Sequence, residues 1–551
     1  MLRTFELLPD SQNIARWNRL TFRRHHQRST SFIIIAFIDL QLSHKQFFKN
    51  ICMSCLAFAS YSASAIFLTP FLVRHLGNSA YGLIPLAGLF TQYSAIISAQ
   101  LSGAVNRFLA LELQKENGRA NVVFNSALCL YLILIVLQIP LMIGLIFSLN
   151  FFFSIPAELY HDTVILFSCS SAAFLISMLD SVFGLPVFAF NRLDISSSLD
   201  LGKQVLRFCG IIIVFLWYGV ALRYIGYIDL ALALMTLSCN FYFCRRFAPN
   251  LKIQPKEIRF SILGPIFKMS FWTLLDNLGS LLFLRSDIWI INRFISAQAA
   301  GQYAALLVIS NFIKQIGMLL GRQIAPSTMT LFAQKRLPEL QMLLKQTETM
   351  LPLAVSFPIA IVTIFSRDLL TLWLNPGYAV LAPVLIVTVI HLIANATNFP
   401  LFYLYVAMNK VKLNGIILII LGIVNVMVVY LLGITFGLGL LGVAIGGGLV
   451  LGAKNAIFTP LYGAYLLRLP KTFFFRTLKN GILSMVLTCV VGFVIHKFLF
   501  FGGWSSLLLC MAVTGAFSLI GVWFLVLPIH DRIMLLEYVP KRFRFRKKSL
   551  S

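Results

Sequence analysis

Three ionisable side chains fall in the middle of long apolar runs of this sequence. At 1.5 Å per helical residue, Asp276 lies about 21 Å from the start of its run, and Lys314 and His391 each lie about 18 Å from the start of theirs. A charge at that depth in a membrane is costly unless it faces a partner or water, so such residues mark ion or substrate pathways. A cation there could bind a diphosphate or an acidic sugar, and an acid could bind a proton or sodium ion. A structural pair between Asp276 and Lys314 is the alternative.

Amide groups extend this set of candidate binding residues. His391, Asn395 and Asn398 are spaced i, i+4 and i+7, which places them on one face of a helix. They could hydrogen-bond sugar hydroxyls, although bonding between membrane helices is the ordinary use of Asn in a bilayer. In the first half of the chain, the corresponding position in the second helix is the neutral Gln92. We therefore expect the charged part of the site in the second half, an asymmetry that suits ion coupling there.

Further charged residues lie nearer to the ends of the apolar runs. Arg285 and Asp287 are two residues apart and point to different faces of one helix, where Asp287 could couple to an ion, gate the exit or lock the structure. Long cations near the cytoplasmic ends are expected to snorkel to the lipid headgroups. The alternative is a vestibule that captures an anionic lipid. The cations concerned are Arg107, Arg322 and Lys454, and the acid Asp180 is grouped with them for its similar depth.

The elements that must position these residues are membrane-spanning helices. A composition of 59% apolar and 12% charged residues does not fit a water-soluble surface. A bilayer core of about 30 Å needs about 20 apolar residues per helix. We therefore predict an all-α polytopic membrane protein with fourteen spans, near 51–73, 82–103, 122–149, 163–189, 204–220, 224–244, 263–292, 302–321, 346–366, 379–404, 413–434, 438–464, 480–500 and 504–528.

Basic residues alternate between the predicted loops. The even-numbered loops contain 20 Lys and Arg residues, whereas the odd-numbered loops contain five. Because cytoplasmic loops collect positive charge, both termini are expected in the cytoplasm, with the chain in the inner membrane. The net charge of +26 then reflects orientation and contact with anionic lipids, and nucleic acid is not an expected partner.

The two halves of the chain repeat the same landmarks. Tyr81 matches Tyr303 at an offset of 222 residues, and Tyr160 matches Tyr378 at an offset of 218. Such repeats build transporters with two lobes around a site that opens to alternate sides. We expect a basic extension that is cytosolic or interfacial, two six-helix lobes, an unrepeated helix pair and a basic cytosolic tail, over 1–46, 47–260, 261–470, 471–528 and 529–551.

Several function classes do not fit this sequence. The longest predicted soluble segment after the N-terminal extension is about 25 residues, so no soluble catalytic domain is expected. Walker A and other nucleotide-binding or metal-binding motifs do not occur, and the nine cysteines lie within or beside apolar runs. A membrane polymerase or glycosyltransferase would need a set of acids or a large outer loop, and Glu158 and Asp162 lack such partners. We predict a protein that is not an enzyme and needs no cofactor or metal.

Several short segments carry a resemblance to a known family. They are PFLVRHLG at 70–77, Ala80-Tyr81-Gly82, DIWII at 287–291, Gly301-Gln302-Tyr303, and Leu372-Trp373-Leu374 with Tyr378. Over about 47–528 the chain resembles the O-antigen and capsular-polysaccharide flippases of the multidrug/oligosaccharidyl-lipid/polysaccharide exporter superfamily. The resemblance implies a fourteen-helix transporter that moves polyprenyl-diphosphate-linked oligosaccharides, the repeat units of O-antigen, capsule or exopolysaccharide, to the outer leaflet.

The same resemblance implies further partners and leaves alternatives open. A polysaccharide polymerase and a chain-length regulator are possible partners, and the last two helices would hold the polyprenyl tail. A lipid II-type flippase of peptidoglycan synthesis would also use a cationic cavity. A multidrug exporter of the same superfamily would want an acidic, aromatic cavity, which the deep Lys314 does not favour. A scaffold in a polysaccharide assembly complex is the alternative without transport.

Overall fold

The structure is a computed structural model that describes most of the chain. The described residues are 29–113, 119–190, 192–259, 261, 278–279, 281, 286–396, 398–527 and 532. Asp276 and Arg285, named above as candidate site residues, lie outside them. The same is true of most of the N-terminal extension and of the basic tail apart from Arg532.

The described residues of the first half of the chain form seven α-helices. The first of them, α1, contains two crossings that meet at Gly77, where the backbone leaves the helical region with φ 80° and ψ 165°. A residue with a side chain is strained at that positive φ, so glycine suits the bend. The helices are α1 Ser29–Leu113, α2 Ala120–Phe147, α3 Leu149–Phe152, α4 Tyr160–Phe183, α5 Leu185–Ala189, α6 Leu193–Tyr218 and α7 Arg223–Phe247.

The second half continues as helices, with three π-helical turns at Leu431–Thr435, Lys454–Phe458 and Val522–Val526. The helices are α8 286–294, α9 Ala297–Arg322, α10 Ala325–Ala333, α11 Leu337–Ile364, α12 Ser366–Trp373, α13 Ala382–Ile390, α14 Leu392–Asn395, α15 Asn398–Ala407, α16 Val411–Tyr430, α17 Gly439–Ala453, α18 Thr459–Leu466, α19 Phe475–Leu499 and α20 Gly503–Gly521.

The all-α polytopic fold predicted from the sequence is confirmed. Within the described residues, eleven stretches are long and apolar enough to cross a membrane, and the first of them, Cys52–Ile96, contains the two helices that meet at Gly77. The 26-residue α6 is long enough for another crossing, and α8 is the described part of the predicted seventh helix.

Helix packing joins the two halves of the chain. We keep the names first lobe for 47–260 and second lobe for 261–470. In the first lobe, α4 packs along α7 and α1 packs along α6, while α9 of the second lobe packs on α1. The final pair, α19 and α20, joins the second lobe through α11. The main apolar core includes residues of both lobes, so it holds them together.

Candidate functional site

A cavity in the second lobe collects several of the residues singled out in the sequence. It has a volume of about 60 Å³ and is lined from α8, α9, α13, α14 and α17. Asp287, Lys314, His391 and Asn395 all line it. These four side chains come from three predicted helices, and the fold brings an acid, a cation, an imidazole and an amide to one place.

Hydrogen bonds hold the polar wall of this cavity in place. The Ser310 hydroxyl on α9 donates to Thr388 Oγ1 on α13 at 3.0 Å, and both residues line the cavity. The Tyr303 hydroxyl donates to Asp287 Oδ2 at 3.3 Å. On the opposite wall, a Cβ on Gly447 would lie 3.1 Å from the same Asp287 oxygen. The glycine therefore lets α17 approach the acid closely.

Asp287 and Asn425 form a pair of buried polar groups beside the cavity. They lie close to each other, and Asp287 Oδ1 and both polar atoms of the Asn425 amide are buried without a well-formed hydrogen bond in the described part of the chain. Oxygens of this kind are the ligands that hard cations prefer. Asn425 was missed in the sequence, although an Asn inside the apolar span 413–434 was the signal for it.

The two lobes use the same local contact with different chemistry. Tyr81 lies 3.3 Å from Thr69 Oγ1, and Tyr303 lies 3.3 Å from Asp287 Oδ2, each through its hydroxyl. Thr69 and Asp287 are 218 residues apart, whereas the two tyrosines are 222 residues apart. The tyrosine of the second lobe thus contacts an acid, and the tyrosine of the first lobe contacts a threonine.

The first lobe nevertheless contains a half-buried ion pair that the sequence interpretation missed. Arg207 Nε lies 2.6 Å from Asp229 Oδ1, and Arg207 is close to the phenols of Tyr61 and Tyr81. Because α6 begins at Leu193, Arg207 is 14 residues, or about 21 Å, along it. The predicted span began at 204 and placed this arginine at the membrane surface. The first lobe thus carries charged side chains of its own, in addition to the charged cluster expected in the second half.

The depth assigned to Lys314 also changes. Helix α9 begins at Ala297, five residues before the predicted span, so Lys314 lies about 26 Å from its predicted outer end. The lysine therefore sits in the half of the helix nearer the predicted cytoplasmic side.

The expected snorkelling of Lys454 is wrong. Its side chain is only 3% exposed, because it begins the π-helical turn Lys454–Phe458 and points into the lobe. The next residue, Asn455, donates a hydrogen bond to the cavity residue Asn395. Single π turns of this kind are frequent at functional sites.

The remaining predicted site residues lie elsewhere. Gln92 is on α1 and does not line the cavity, and Asp180 accepts a hydrogen bond from the Asn240 amide at 2.8 Å. Arg322 is exposed at the end of α9. Arg107 and Asn398 lie in α1 and α15, and their side chains are outside the described set.

Hydrogen bonds between the lobes close the side that is predicted to face outward. Arg74 Nε donates to the Leu374 carbonyl at 3.1 Å, and the Tyr378 hydroxyl donates to Asn78 Oδ1 at 2.6 Å. These bonds join a loop of the first lobe to a loop of the second. They would have to break before the cavity could open on that side.

A reciprocal set of bonds joins the lobes at a second place. The Ser154 N–H donates to Asn292 Oδ1 at 2.9 Å, and Trp289 Nε1 donates to the Phe152 carbonyl at 3.1 Å. Here the second lobe supplies the end of α8, and the first lobe supplies the segment after its third span. The closure is therefore built twice, once by each repeat.

A large apolar groove lies on the outside of the second lobe. It has a volume of about 530 Å³ and runs between α9, α11 and the end of α20. Met350 and Phe357 of α11 form one wall, and Val522 and Trp523 form the other. The groove is far larger than the cavity and has few polar groups.

Comparisons with known proteins identify the fold. No family model matches the chain. It is 26% identical to the uncharacterized membrane protein EpsK of Bacillus subtilis strain 168 over 507 residues, which are 92% of this chain and 100% of that protein.

Two solved structures are similar over most of their length. The lipid II flippase MurJ in an inward closed conformation has a TM-score of 0.65 at 14% identity and covers 86% of this chain and 98% of its own. An inward-facing multidrug resistance MATE family transporter of the MOP superfamily has a TM-score of 0.60 at 15% identity, with coverages of 76% and 98%. The chain has the fold that these transporters share.

Proposed function

We propose that this chain moves polyprenyl-diphosphate-linked oligosaccharides from the cytoplasmic to the outer leaflet of the inner membrane. The observation that carries the proposal is the cavity where Lys314 meets His391 and Asn395. An ammonium group stabilises a diphosphate by charge-assisted hydrogen bonds, which strengthen where water is scarce. The imidazole and the amide supply donors and acceptors for sugar hydroxyls.

The ion pair of the first lobe adds a second cation to this pathway. Arg207 donates two hydrogen bonds to Asp229. When one of them breaks, its planar guanidinium can donate N–H groups to a phosphate. Lys314 and Arg207 would then act on one diphosphate from opposite lobes. A cargo with concentrated negative charge is favoured over a cationic drug.

The small cavity volume requires helices to move during transport. A volume of about 60 Å³ accommodates only a few water molecules. A saccharide can therefore enter only when the helices around the cavity move apart, while the bonds between the lobes hold the predicted outer side closed. The proposed mechanism is alternating access in which the cytoplasmic side opens first.

The groove on α11 and α20 provides a place for the lipid part of the cargo. Its walls are apolar and its volume of about 530 Å³ suits several isoprene units. The saccharide would cross through the cavity while the polyprenyl tail remained in the groove and in the surrounding lipid. Anionic lipids would contact the basic loops, and a polymerase and a chain-length regulator would act on the product.

The test is translocation in proteoliposomes of a fluorescent polyprenyl-diphosphate oligosaccharide. Lys314→Ala should slow flipping about tenfold or more, since a charge-assisted hydrogen bond contributes about 1.5–3 kcal/mol. Lys314→Arg should keep most of the activity because it keeps the charge. Lys479→Ala, which removes an exposed lysine, is the matched control. Wild-type flipping by a monodisperse Lys314→Ala protein would refute the proposal.

A lipid II-type precursor is the second candidate cargo. The observation that favours it is the fold shared with the lipid II flippase MurJ at a TM-score of 0.65. Flipping of lipid II in the same vesicles, faster than flipping of other polyprenyl-diphosphate saccharides, would select it.

A further inference from the structure

Glu348 is a buried acid of α11 that lies outside the proposed transport cavity. Its side chain is 0% exposed, and neither carboxylate oxygen has a hydrogen-bond partner among the described residues. Tyr405 of α15 is near it, but that hydroxyl donates to the Thr459 carbonyl at 2.8 Å. A carboxylate here would be a buried charge without a cation or a donor, so the neutral acid fits the structure.

A proline follows Glu348 by one helical turn. Pro352 lies inside α11 and has no N–H, so the backbone carbonyl of Glu348 loses its usual partner within the helix. Sharp bends in helices occur at such positions. The side chain and the backbone of Glu348 thus both lack the partners that would fix this turn of the helix.

The two parts of α11 on either side of this turn are held differently. Beyond it, a Cβ on Gly481 would lie 2.6 Å from Pro352 Cβ, and Ser356 Oγ lies 2.8 Å from Ser484 Oγ, so α19 packs tightly on this part. Before it, Leu340 and Leu344 are 0% exposed in an apolar cluster with Tyr405 of α15. The two parts of α11 therefore pack on different helices, and Glu348 lies near the join between them.

We propose that Glu348 is a proton-binding site at a proline hinge of α11, and that loss of its proton moves the cytoplasmic part of the helix and changes the width of the groove. When water reaches the side chain, the carboxyl gives its proton to water and becomes a carboxylate. The Glu348 carboxylate is stable once it leaves the buried position and reaches water. There it also lies close to the exposed Lys345, which precedes it by three residues on the helix. The inference rests on the helix arrangement and not on the cargo.

Other titratable groups on the neighbouring helices do not offer the same change of charge. Tyr405 and, behind it, Tyr462 face Glu348 from α15 and α18, with their ring centroids 4.9 Å apart. Phenols are neutral near pH 7. On α9 and at the end of α13, Lys314 and His391 line the cavity of the second lobe instead. Lys479 of α19 is exposed.

A distance measurement tests this hinge without any transport assay. Met342 and Phe524 are 55% and 63% exposed and are next in sequence to the groove residues Leu343 and Trp523, so each can be replaced by a spin-labelled cysteine in a chain freed of its nine native cysteines. Pulsed electron resonance should show a wild-type distance distribution that shifts by several ångströms between mildly acidic and mildly alkaline buffer. Glu348→Gln should keep the acidic distribution in both buffers.

Two further variants decide between outcomes. Glu339→Gln removes an exposed acid of the same helix and should shift as the wild type does. Pro352→Ala restores the helical N–H, so it should abolish the shift while Glu348 is still present. The proposal would be overturned if the wild-type distance distribution did not change with pH. It would also be overturned if the distribution of the Glu348→Gln or Pro352→Ala protein still changed with pH. Because no cargo is present, these results are independent of whether the chain flips lipid-linked saccharides.

Discussion

At the scale of single residues, the Asp287 carboxylate is the group best placed to bind a coupling ion. One of its oxygens accepts from Tyr303 and the other is buried beside the Asn425 amide without a hydrogen bond. A proton or a sodium ion would satisfy both side chains. In the first lobe, Tyr81 contacts Thr69 instead, which cannot carry a charge. We therefore propose that ion coupling takes place in the second lobe.

Asp287→Asn should separate transport from the ion gradient. The amide has the size of the acid but cannot balance a bound cation, so flipping without a gradient should persist and its acceleration by a proton or sodium gradient should be lost. The measurement is the initial flipping rate with and without each imposed gradient. Asp162→Asn, which removes an acid in the first turn of α4, 3.6 Å from Arg223, is the control. Gradient-driven flipping by Asp287→Asn would show that the coupling group lies elsewhere.

The cost of burying polar groups made part of this site predictable. Lys314 and His391 stood out as ionisable residues inside apolar runs, and the structure places both in one cavity. Arg207 and Glu348 were missed for a physical reason. Each lies near the edge of an apolar run, where hydropathy alone cannot distinguish a residue in water from one turned into the protein.

At the scale of helices, a contact between glycines sets how closely the lobes approach. A Cβ on Gly82 of α1 would lie 2.7 Å from the Gly301 nitrogen of α9. A Cβ on Gly301 would lie 1.8 Å from the Asn78 carbonyl oxygen. Asn78 also accepts the Tyr378 hydrogen bond, so this contact belongs to the outer closure.

Gly301→Ala should open the outer side. The methyl group cannot fit beside Asn78, and overpacking costs about 1–3 kcal/mol, which should favour the conformation with the lobes apart. A cysteine in place of the cavity residue Leu307 should then react faster with an impermeant maleimide added from outside. Gly144→Ala adds the same methyl into open space and should leave the reaction unchanged. Unchanged labelling of a folded Gly301→Ala protein would contradict the closure described here.

Hydropathy predicted the helices better than it predicted their ends. Runs of about 20 apolar residues identify spans because the bilayer fixes their length. The early start of α6 and the break of α1 at Gly77 depend on packing and backbone conformation. The π turn that buries Lys454 likewise shows no signal in an apolar pattern.

At the scale of the whole molecule, the structure combines a small polar cavity, a doubled outer closure and an apolar groove. The fold shared with MurJ and a MATE transporter agrees with the fold that the family resemblance implies. The division into two six-helix lobes and the orientation of the termini remain predictions from repeats and loop charge. The cargo could not be read from the sequence, because the cavity residues come from separated helices and form no local motif.

The most direct measurement compares cargoes in one set of proteoliposomes. Flipping rates would be determined for a polyprenyl-diphosphate oligosaccharide, the matching polyprenyl-monophosphate sugar and a cationic dye, each with wild-type protein and with Lys314→Ala. We predict rapid flipping of the diphosphate-linked oligosaccharide alone, slowed about tenfold or more by the substitution. Export of the dye without flipping of any lipid-linked saccharide would contradict the account.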